Sequence, residues 1–473
     1  MLSTRFPIAI ALVGLLSSAT FGLAQEVTTK LPTFLTDHMV LQRNVPNRIW
    51  GWDKPSAEVS VSAGSATARA TANAEGQWSA QLPPMQAGGP IDITVKGTTE
   101  IKLADVLIGD VWVCSGQSNM EWSVAQSANA QQEIAECNVP QIRHCKINHV
   151  PADKPQSDVA SGGWKVASPE TVGEFTAAGY FFAKNLQHEL NVPIGIIGSN
   201  WGGTRIEPWT SPAGFQQIPA LKEITDKLGE YPSKNDKGEI DIGSPMALYN
   251  GMIHPLLPFA IKGAIWYQGE SNMGEGMLYH EKMKALIGGW RQAWNQPELP
   301  FYFVQLAPYR YGDPQALPAI WEAQLASLSI PSTGMVVTTD IGNVADIHPV
   351  NKQEVGRRLA LWALAQTYGR TEFVSCGPLF RSASVEGATI RVQFDYLGGG
   401  LKTRDDQAPT GFEIAAVDSQ FAPAEAKIDG DSLVVSAAQV TAPTKVRFAW
   451  NQEANPNLMN VVGLPAVPFR WAK

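Results

Sequence analysis

The chain has 473 residues, of which 44% are hydrophobic and 17% charged, with 42 Gly, 33 Pro and 15 Trp. This composition excludes a disordered chain, a coiled coil and a collagen-like fibre, and the length suggests about three domains. The net charge of −8 comes without a long Lys/Arg run. Nucleic-acid binding needs a positive stripe that neutralises phosphates, so we expect no nucleic-acid partner.

The first 24 residues have the pattern of a secretory signal peptide. Arg5 precedes an apolar stretch from Pro7 to Leu16, and Gly22-Leu23-Ala24 predicts cleavage before Gln25. The apolar stretch is shorter than the ~20 residues that a membrane span needs. We therefore expect export to the periplasm or the extracellular space, and no membrane span.

Four cysteines give a weak disulfide signal. Cys137 and Cys145 are close enough in sequence to close a short surface loop, whereas Cys114 and Cys376 lie in contexts typical of buried thiols. None of the spacings resembles a zinc site, so we expect no metal.

Short alternating segments within residues 25–104 predict an N-terminal antiparallel β-sandwich. These segments are Val59–Ser62, Ala68–Ala72, Trp78–Leu82 and Ile91–Val95.

Residues 105–372 alternate buried strands with helices, which predicts an α/β catalytic domain with a parallel sheet covered on both sides. The predicted strands are Val111–Cys114, Ile194–Ile197, Ala264–Tyr267, Phe301–Val304 and Met335–Val337. The predicted helices are Phe175–Leu190, Met283–Trp294, Ile320–Leu328 and Lys352–Tyr368. After residue 372 the helical pattern stops, and residues 373–473 predict a second, β-rich domain.

Polar residues follow four of the predicted core strands, where α/β sheets place their chemistry. In chain order these are Ser118 with Asn119, the pair Gly202 and Gly203, the segment 268–272, and Asp340 followed by 346–348. Capping of the next helix is an equally good explanation for Ser118 and Asn119, and a tight turn for the glycines. Together, however, the loops supply a hydroxyl, a glycine pair, amides, a carboxylate and an imidazole, the groups that acyl transfer requires.

Two of the seven histidines compete for the role of base. His254 is flanked by apolar residues and Pro, which favours a structural role. His348 follows an acidic loop and precedes the last long helix, so it is the better candidate. A serine hydroxyl needs such a base to act as a nucleophile.

Four motifs together resemble the sialate O-acetylesterase family, a branch of the SGNH-hydrolase superfamily of carbohydrate esterases. They are Gly116-Gln-Ser-Asn-Met, Trp201-Gly-Gly-Thr-Arg-Ile-Glu, Ile265-Trp-Tyr-Gln-Gly-Glu-Ser-Asn and Ile347-His-Pro. The resemblance implies an SGNH-type three-layer α/β/α core and removal of acetyl groups from sugars, with an acetylated glycan as the partner. It calls for no cofactor and leaves the oligomeric state open.

The resemblance also implies roles for single residues. Ser118 matches the nucleophile and His348 the base, and Gly203 or its neighbour Gly202 matches the oxyanion-hole glycine. The superfamily's third oxyanion donor, an Asn, is not matched at its usual place, so Gln268 or Asn272 is expected to donate instead.

The acid of the triad is ambiguous, because the superfamily's Asp three residues before the His is Ala345 here. Asp346, two residues before His348, is the favoured candidate, with Glu270 and Asp340 as competitors. The expected reaction is serine-dependent hydrolysis of acetyl esters on sialic acid or on a plant polysaccharide such as xylan or xyloglucan. The alternative is a secreted glycan-binding protein that kept the fold without the chemistry.

Overall fold

The computed structural model describes residues 1, 2, 4 and 28–473. The cleavage site predicted before Gln25 lies outside these residues. Among the described residues, no helix is both long and apolar enough to cross a bilayer.

Between residues 28 and 99, where apolar and polar residues alternate, there are six short strands. They are β1 (Val40–Gln42), β2 (Asn47–Trp52), β3 (Glu58–Ala63), β4 (Ala66–Thr71), β5 (Gln77–Leu82) and β6 (Gly88–Lys96). Strand β2 pairs antiparallel with β5, and β3 pairs antiparallel with β4 and β6.

Strand β7 (Glu100–Gly116) connects this region to the core. Its first half pairs with β6 and β1, and its second half with core strands on both sides. The boundary predicted after residue 104 therefore falls inside one continuous strand.

The core sheet contains six further strands in the order β13-β12-β11-β7-β10-β8-β9. They are β8 (Val139–Ile147), β9 (Ser161–Ala167), β10 (Ile194–Asn200), β11 (Gly263–Tyr267), β12 (Phe301–Val304) and β13 (Thr333–Val336). All neighbouring pairs are parallel except β8 and β9. The prediction of a purely parallel sheet is thus corrected to a mixed sheet, because the β8–β9 connection has no crossover helix and turns straight back.

Sequence patterning did not identify β8 and β9. Strand β8 buries Arg143 and His144, which break the apolar run expected of a core strand. The Arg143 guanidinium is neutralised by Asp105, with Nη1 2.7 Å from Oδ2. A buried charge of this kind is stable only with such a partner, and the partner is not visible locally in sequence.

Within residues 28–473, eight α-helices accompany the strands. They are α1 (Ser118–Glu121), α2 (Ala130–Ala135), α3 (Ala177–Leu190), α4 (Pro212–Gln216), α5 (Lys222–Thr225), α6 (Leu278–Ala293), α7 (Ala316–Ala326) and α8 (Lys352–Trp362). Helix α8 ends earlier than predicted and continues as a single wide turn over 363–367. Helix α7 begins earlier than predicted, at Ala316.

Helices cover both faces of the core sheet. Trp112 of β7 packs on Phe182 of α3, with ring centroids 5.0 Å apart, and α8 packs against α3. Trp266 of β11 packs on Trp290 of α6 at 6.3 Å. The register pairs Trp266 with Ser115, three positions from Trp112, so the two indoles project from opposite faces.

The C-terminal region is built of ten strands. They are β14 (Leu379–Glu386), β15 (Thr389–Asp395), β16 (Leu401–Thr403), β17 (Phe412–Ala415), β18 (Ala422–Pro423), β19 (Glu425–Asp429), β20 (Ser432–Ser436), β21 (Lys445–Phe448), β22 (Leu458–Asn460) and β23 (Phe469–Ala472). They form antiparallel sheets of four, four and two strands.

All four cysteines are buried free thiols. The suggested Cys137–Cys145 bridge is therefore wrong. Cys145 lies inside β8, and Cys137 accepts a hydrogen bond from the Tyr180 hydroxyl at 3.4 Å. Both side chains face the interior, so neither closes a surface loop.

Candidate active site

The structure brings Ser118 and His348 into direct contact. The His348 Nε2 lies 2.9 Å from the Ser118 Oγ, although 230 positions separate them in the chain. Ser118 begins α1 immediately after β7, and His348 lies in the loop between β13 and α8. Both side chains are partly exposed, so an ester carbonyl can reach the hydroxyl while the imidazole accepts its proton.

Gly116 allows the sharp change from strand to helix before Ser118. Its φ is +135°, and a Cβ built there would lie 2.2 Å from the Tyr267 carbonyl oxygen. The next residue, Gln117, accepts hydrogen bonds from the Gly269 and Ser271 N–H groups, both at 3.3 Å. The motif thus turns the chain and also holds the loop after β11 beside the serine.

The His348 ring is stacked on a tryptophan, and its surroundings favour the unprotonated form. Its ring lies parallel to the Trp122 indole, with centroids 4.6 Å apart and an interplanar angle of 19°. Burial lowers the pKa of His348, the Lys352 charge adds to the lowering, and Asp346 opposes it. At neutral pH the imidazole is therefore unprotonated and able to accept a proton.

Asp346 lies next to His348 but does not hydrogen-bond its ring. The Asp346 Oδ1 accepts a hydrogen bond from the His348 backbone N–H at 2.9 Å and is 3.7 Å from Nδ1. The carboxylate is half exposed. It contributes negative charge near the imidazole, at a distance beyond that of a hydrogen bond.

The two competing carboxylates bind other groups. Glu270 Oε1 accepts a hydrogen bond from Asn119 Nδ2 at 2.7 Å. Asp340 forms a two-pronged ion pair with Arg358, at 2.7 and 2.6 Å. Of the three carboxylates considered from sequence, Asp346 is the one beside His348.

The glycine pair after β10 lies against the serine. A Cβ built on Gly202 would be 3.3 Å from the Ser118 Cβ. The Gly202 N–H donates to Glu121 Oε2 at 2.8 Å. The N–H of Gly203 makes no hydrogen bond within the described part of the chain, and this residue borders open space with φ +75°.

The amides of Gln268 and Asn272 are not directed at the serine, which corrects their assignment as oxyanion donors. Gln268 Nε2 donates to Thr204 O at 3.1 Å and to Asn272 Oδ1 at 2.8 Å. Asn272 Nδ2 donates to Glu207 at 3.0 Å and Glu275 at 3.2 Å. Since an amide nitrogen carries two hydrogens, both groups are fully used by the protein itself.

A second charged and aromatic cluster adjoins the glycine pair. Glu121 binds Lys146 Nζ at 3.0 Å and His149 Nε2 at 2.9 Å, and His149 stacks on Trp201 with centroids 4.3 Å apart. Burial raises the pKa of Glu121, but the hydrogen bonds from His149 and Lys146 outweigh it and lower the pKa to about 2. Glu121 is therefore a permanent anion that anchors the Gly202 turn.

Four tryptophans, Trp122, Trp201, Trp209 and Trp266, lie in or beside the motifs. Trp209 and Trp266 are fully buried core residues, whereas Trp122 stacks on His348 and Trp201 on His149.

The other candidate base, His254, lies with its Nδ1 2.9 Å from the Gln156 carbonyl oxygen, in keeping with a structural role.

Sequence reasoning missed Lys352, which joins this site. Lys352 Nζ donates a hydrogen bond to Asn119 Oδ1 at 2.6 Å, and both residues are buried. A signal was present in the sequence: a lysine in the first turn of a helix opposes the helix dipole, so it calls for a specific partner.

Within residues 28–473, no group of three or more His, Cys, Asp or Glu side chains is arranged to hold a metal ion.

Comparison with known proteins finds carbohydrate esterases that are similar to this chain. A family model described as "Carbohydrate esterase, sialic acid-specific acetylesterase" matches residues 108–365. The sialate O-acetylesterase of Homo sapiens is 31% identical over 392 residues, covering 74% of this chain and 73% of its own length. That of Rattus norvegicus is 31% identical over 435 residues, covering 79% and 80%.

A solved structure is similar over nearly the whole chain. It is the crystal structure of a carbohydrate acetylesterase from Xanthomonas citri, 42% identical in sequence, with a TM-score of 0.86. The alignment covers 94% of this chain and all of the other.

Proposed function

The chain belongs to the sialic acid-specific acetylesterase family of carbohydrate esterases, and from this premise we propose that it is a serine esterase using Ser118 and His348. The observation that carries the proposal is the 2.9 Å contact between Ser118 Oγ and His348 Nε2. Helices on both faces of the mixed sheet support an SGNH-type α/β/α core. The intact pair argues against a glycan-binding protein without catalysis.

In the first half-reaction, Ser118 Oγ attacks the acetyl carbonyl carbon and its proton passes to His348 Nε2. The tetrahedral intermediate collapses, the bond from carbon to the sugar oxygen breaks, and His348 returns the proton to that oxygen. An acetyl-enzyme remains. In the second half, His348 deprotonates a water that attacks the acetyl carbon, acetate leaves, and Ser118 regains its proton.

We assign the oxyanion hole to the backbone N–H groups of Ser118 and Gly203. Neither makes a hydrogen bond within the described residues, whereas the N–H of Gly202 is taken by Glu121. Each such donor typically contributes about 3 kcal/mol to transition-state stabilisation. Asp346 stabilises the imidazolium through its charge at 3.7 Å.

The charges around the nucleophile favour an uncharged acetylated sugar over sialic acid. Lys146 is paired with Glu121 at 3.0 Å, and Arg205 is paired with Glu207 at 3.0 Å and also with Glu275. A sugar carboxylate would meet cations whose charge is already balanced by protein carboxylates, so it would gain little from them. We therefore propose a neutral acetylated polysaccharide as the substrate, and acetate release from a panel of acetylated xylan, xyloglucan and sialic acid tests this. A higher kcat/KM on acetylated sialic acid than on the neutral glycans would contradict it.

The decisive experiment on the mechanism compares Ser118→Ala with Ser115→Ala on an aryl acetate. Ser115 is a buried serine near the end of β7 whose hydroxyl has no partner among the described residues, so its removal should leave activity near the parent level. Ser118→Ala should lower kcat by roughly 10⁴-fold or more. Parent-like activity in Ser118→Ala would remove the serine mechanism. Acetyl-enzyme trapped by acid quench and located by peptide mass spectrometry should carry its acetyl group on Ser118.

We also propose that the protein is exported. The support is the charged, apolar and small-residue sequence of the first 24 residues. Mass spectrometry of the protein secreted by its host should find Gln25 at the mature N-terminus. Recovery of protein that still begins at Met1 in the cytoplasm would contradict export.

A further inference from the structure

Buried side chains hydrogen-bond the loop that carries His348, on both sides of the histidine. The carbonyl oxygen of Ile347 accepts a hydrogen bond from Asn119 Nδ2 at 3.1 Å. The carbonyl oxygen of Pro349 accepts one from Lys352 Nζ at 2.8 Å. One backbone carbonyl before His348 and one after it are thus held by buried side chains.

These side chains form one network with Glu270. Asn119 Oδ1 accepts a hydrogen bond from Lys352 at 2.6 Å, and Asn119 Nδ2 donates to Glu270 Oε1 at 2.7 Å. Asn119 is 1% exposed and Lys352 is 0% exposed. The network therefore links three elements that meet only in the folded protein, namely α1, the loop after β11 and the start of α8.

The network places a buried carboxyl group and a buried amine near each other without direct contact between them. Glu270 Oε2 is buried with no hydrogen-bond partner among the described residues. The carboxylate is stabilised by nearby backbone N–H groups, by Asn119 and by the Lys352 ammonium. Burial raises the pKa of Glu270 and lowers the pKa of Lys352 to about 7. Separating such a pair by removing one member leaves the other buried and unpaired, which is strongly destabilising.

The Asp346 carboxylate is too far from the His348 ring to orient it through a hydrogen bond. Asp346 is half exposed, and its Oδ1 is 3.7 Å from Nδ1. The ring is positioned instead by its own loop and by Trp122, which stacks on it. Whatever fixes the loop therefore fixes the distance from Nε2 to the serine.

We propose that Asn119, Glu270 and Lys352 are positioning residues that hold the His348 loop in register with Ser118. The proposal rests on the serine mechanism above. Asn119 and Lys352 bind the flanking carbonyl groups, and Glu270 keeps Asn119 in the orientation that presents its Nδ2 to Ile347. None of the three touches the ester.

The test separates positioning from stability with three variants, Lys352→Met, Glu270→Gln and the double variant. Lys352→Met removes the donor to Pro349 and leaves Glu270 buried without a cation, so both Tm and kcat should fall. A misplacement of about 1 Å at the reacting groups costs about 100-fold in kcat. KM should change little, because the side chains do not face the sugar.

The double variant is the decisive one. Glu270→Gln removes the unpaired carboxylate from Lys352→Met, so Tm should recover toward the parent value. The kcat should stay about 100-fold low, because Pro349 and Asn119 still lack their donor. If kcat recovers together with Tm, the network is merely structural and the proposal is overturned.

The pH profile gives a second readout. The ionisable groups that act on His348 are Lys352, whose charge lowers its pKa, and Asp346, whose charge raises it. Removing Lys352 should shift the acid limb of kcat/KM to higher pH. An unchanged acid limb would contradict the proposed proximity of the ammonium to the ring.

Arg291→Met is the matched control. Arg291 is a buried cation that also donates to loop carbonyls, those of Leu299 and Pro331, but at the opposite ends of β12 and β13. Its loss should lower Tm without moving the acid limb. Ser118→Ala measured in parallel separates the two proposals: if it is active, the serine mechanism fails; if it is inactive and the double variant recovers kcat, only the positioning role fails.

Discussion

At the scale of single residues, the chemistry depends on the protonation state of one imidazole. Burial and the Lys352 charge both keep His348 neutral, and Asp346 is the group that opposes them. The acid limb of kcat/KM should therefore lie below the ordinary histidine pKa of about 6.5.

Asp346→Asn should move this acid limb to still lower pH, because it removes the charge that favours the imidazolium. The asparagine oxygen can still accept the His348 N–H, so the loop should keep its shape. We expect kcat to fall on the order of 10-fold, against roughly 10⁴-fold where a triad carboxylate hydrogen-bonds the ring directly. Kinetics over a pH series measure both effects, and a loss comparable with that of Ser118→Ala would show that Asp346 orients the ring.

Gly203→Ala tests the backbone donor. Its φ of +75° is strained for alanine, so the N–H should turn away from the oxyanion and kcat should fall about 100-fold, the cost of losing one donor. Gly238→Ala is the matched control, with φ +78° and open space around the added Cβ. Both variants should lose similar stability in thermal unfolding, and an equal loss of kcat in the two would contradict the assignment.

Single residues also show where sequence reasoning ends. Ser118 and His348 were recognisable because the motifs around them are local strings. The roles of Gln268 and Asn272 could not be recognised in this way. Whether a side-chain amide is free to bind an oxyanion depends on which hydrogen-bond acceptors the fold places beside it. Likewise, spacing alone did not reveal that Glu270 faces Asn119 rather than His348.

At the scale of elements, the site depends on how α8 is docked. A Cβ on Gly356 would lie 2.5 Å from both Phe181 Cβ and Phe182 N, so α8 contacts α3 at backbone distance. Since α8 starts at Lys352, only four residues after His348, the docking of this helix also sets the position of the histidine loop.

Gly356→Ala should therefore destabilise the protein by about 1–3 kcal/mol, the usual cost of overpacking, and should lower kcat as well. The control is Gly288→Ala in α6, where the added Cβ meets only the far end of the flexible Gln217 side chain. That change should be neutral or stabilising by up to about 1 kcal/mol, because alanine is the better helix former. Denaturant unfolding gives both values, and equal destabilisation in the two variants would contradict the close docking of α8.

Element prediction succeeded where apolar patterning is strong. The strands at β7, β10, β11, β12 and β13 were identified because each is a continuous buried run. Strand β8 was missed because the buried Arg143, paired with the distant Asp105, and His144 interrupt its apolar run, and β9 was missed because it buries only Trp164 and Ala167. Strand β9 pairs antiparallel with β8 at the edge of the sheet, because the connection between them reverses the chain direction. The sequence does not specify the course of that connection.

At the scale of the whole molecule, the chain is held without disulfides. Burial raises the pKa of Cys114 far above its usual range and the pKa values of Cys145 and Cys376 to about 12. A buried, protonated thiol is a poor nucleophile.

Reducing agent should therefore leave Tm unchanged, and a thiol reagent should modify the four cysteines only after denaturation. Spectrophotometric thiol titration with and without denaturant measures this. Rapid labelling of the native protein, or a fall in Tm on reduction, would contradict the buried free state of the thiols.

The sequence by itself determined the family, five of the seven core strands, and the serine and histidine that the proposed chemistry uses. These follow from local sequence motifs and from the spacing of apolar residues, which a chain has in any conformation. The tertiary structure decided the contact of Ser118 with His348, the partners of the three carboxylates, the saturation of the two amides and the fate of the cysteines. Each of these depends on hydrogen bonds or packing between segments far apart in the chain, and such contacts exist only once the sheet has brought its strand ends to one edge.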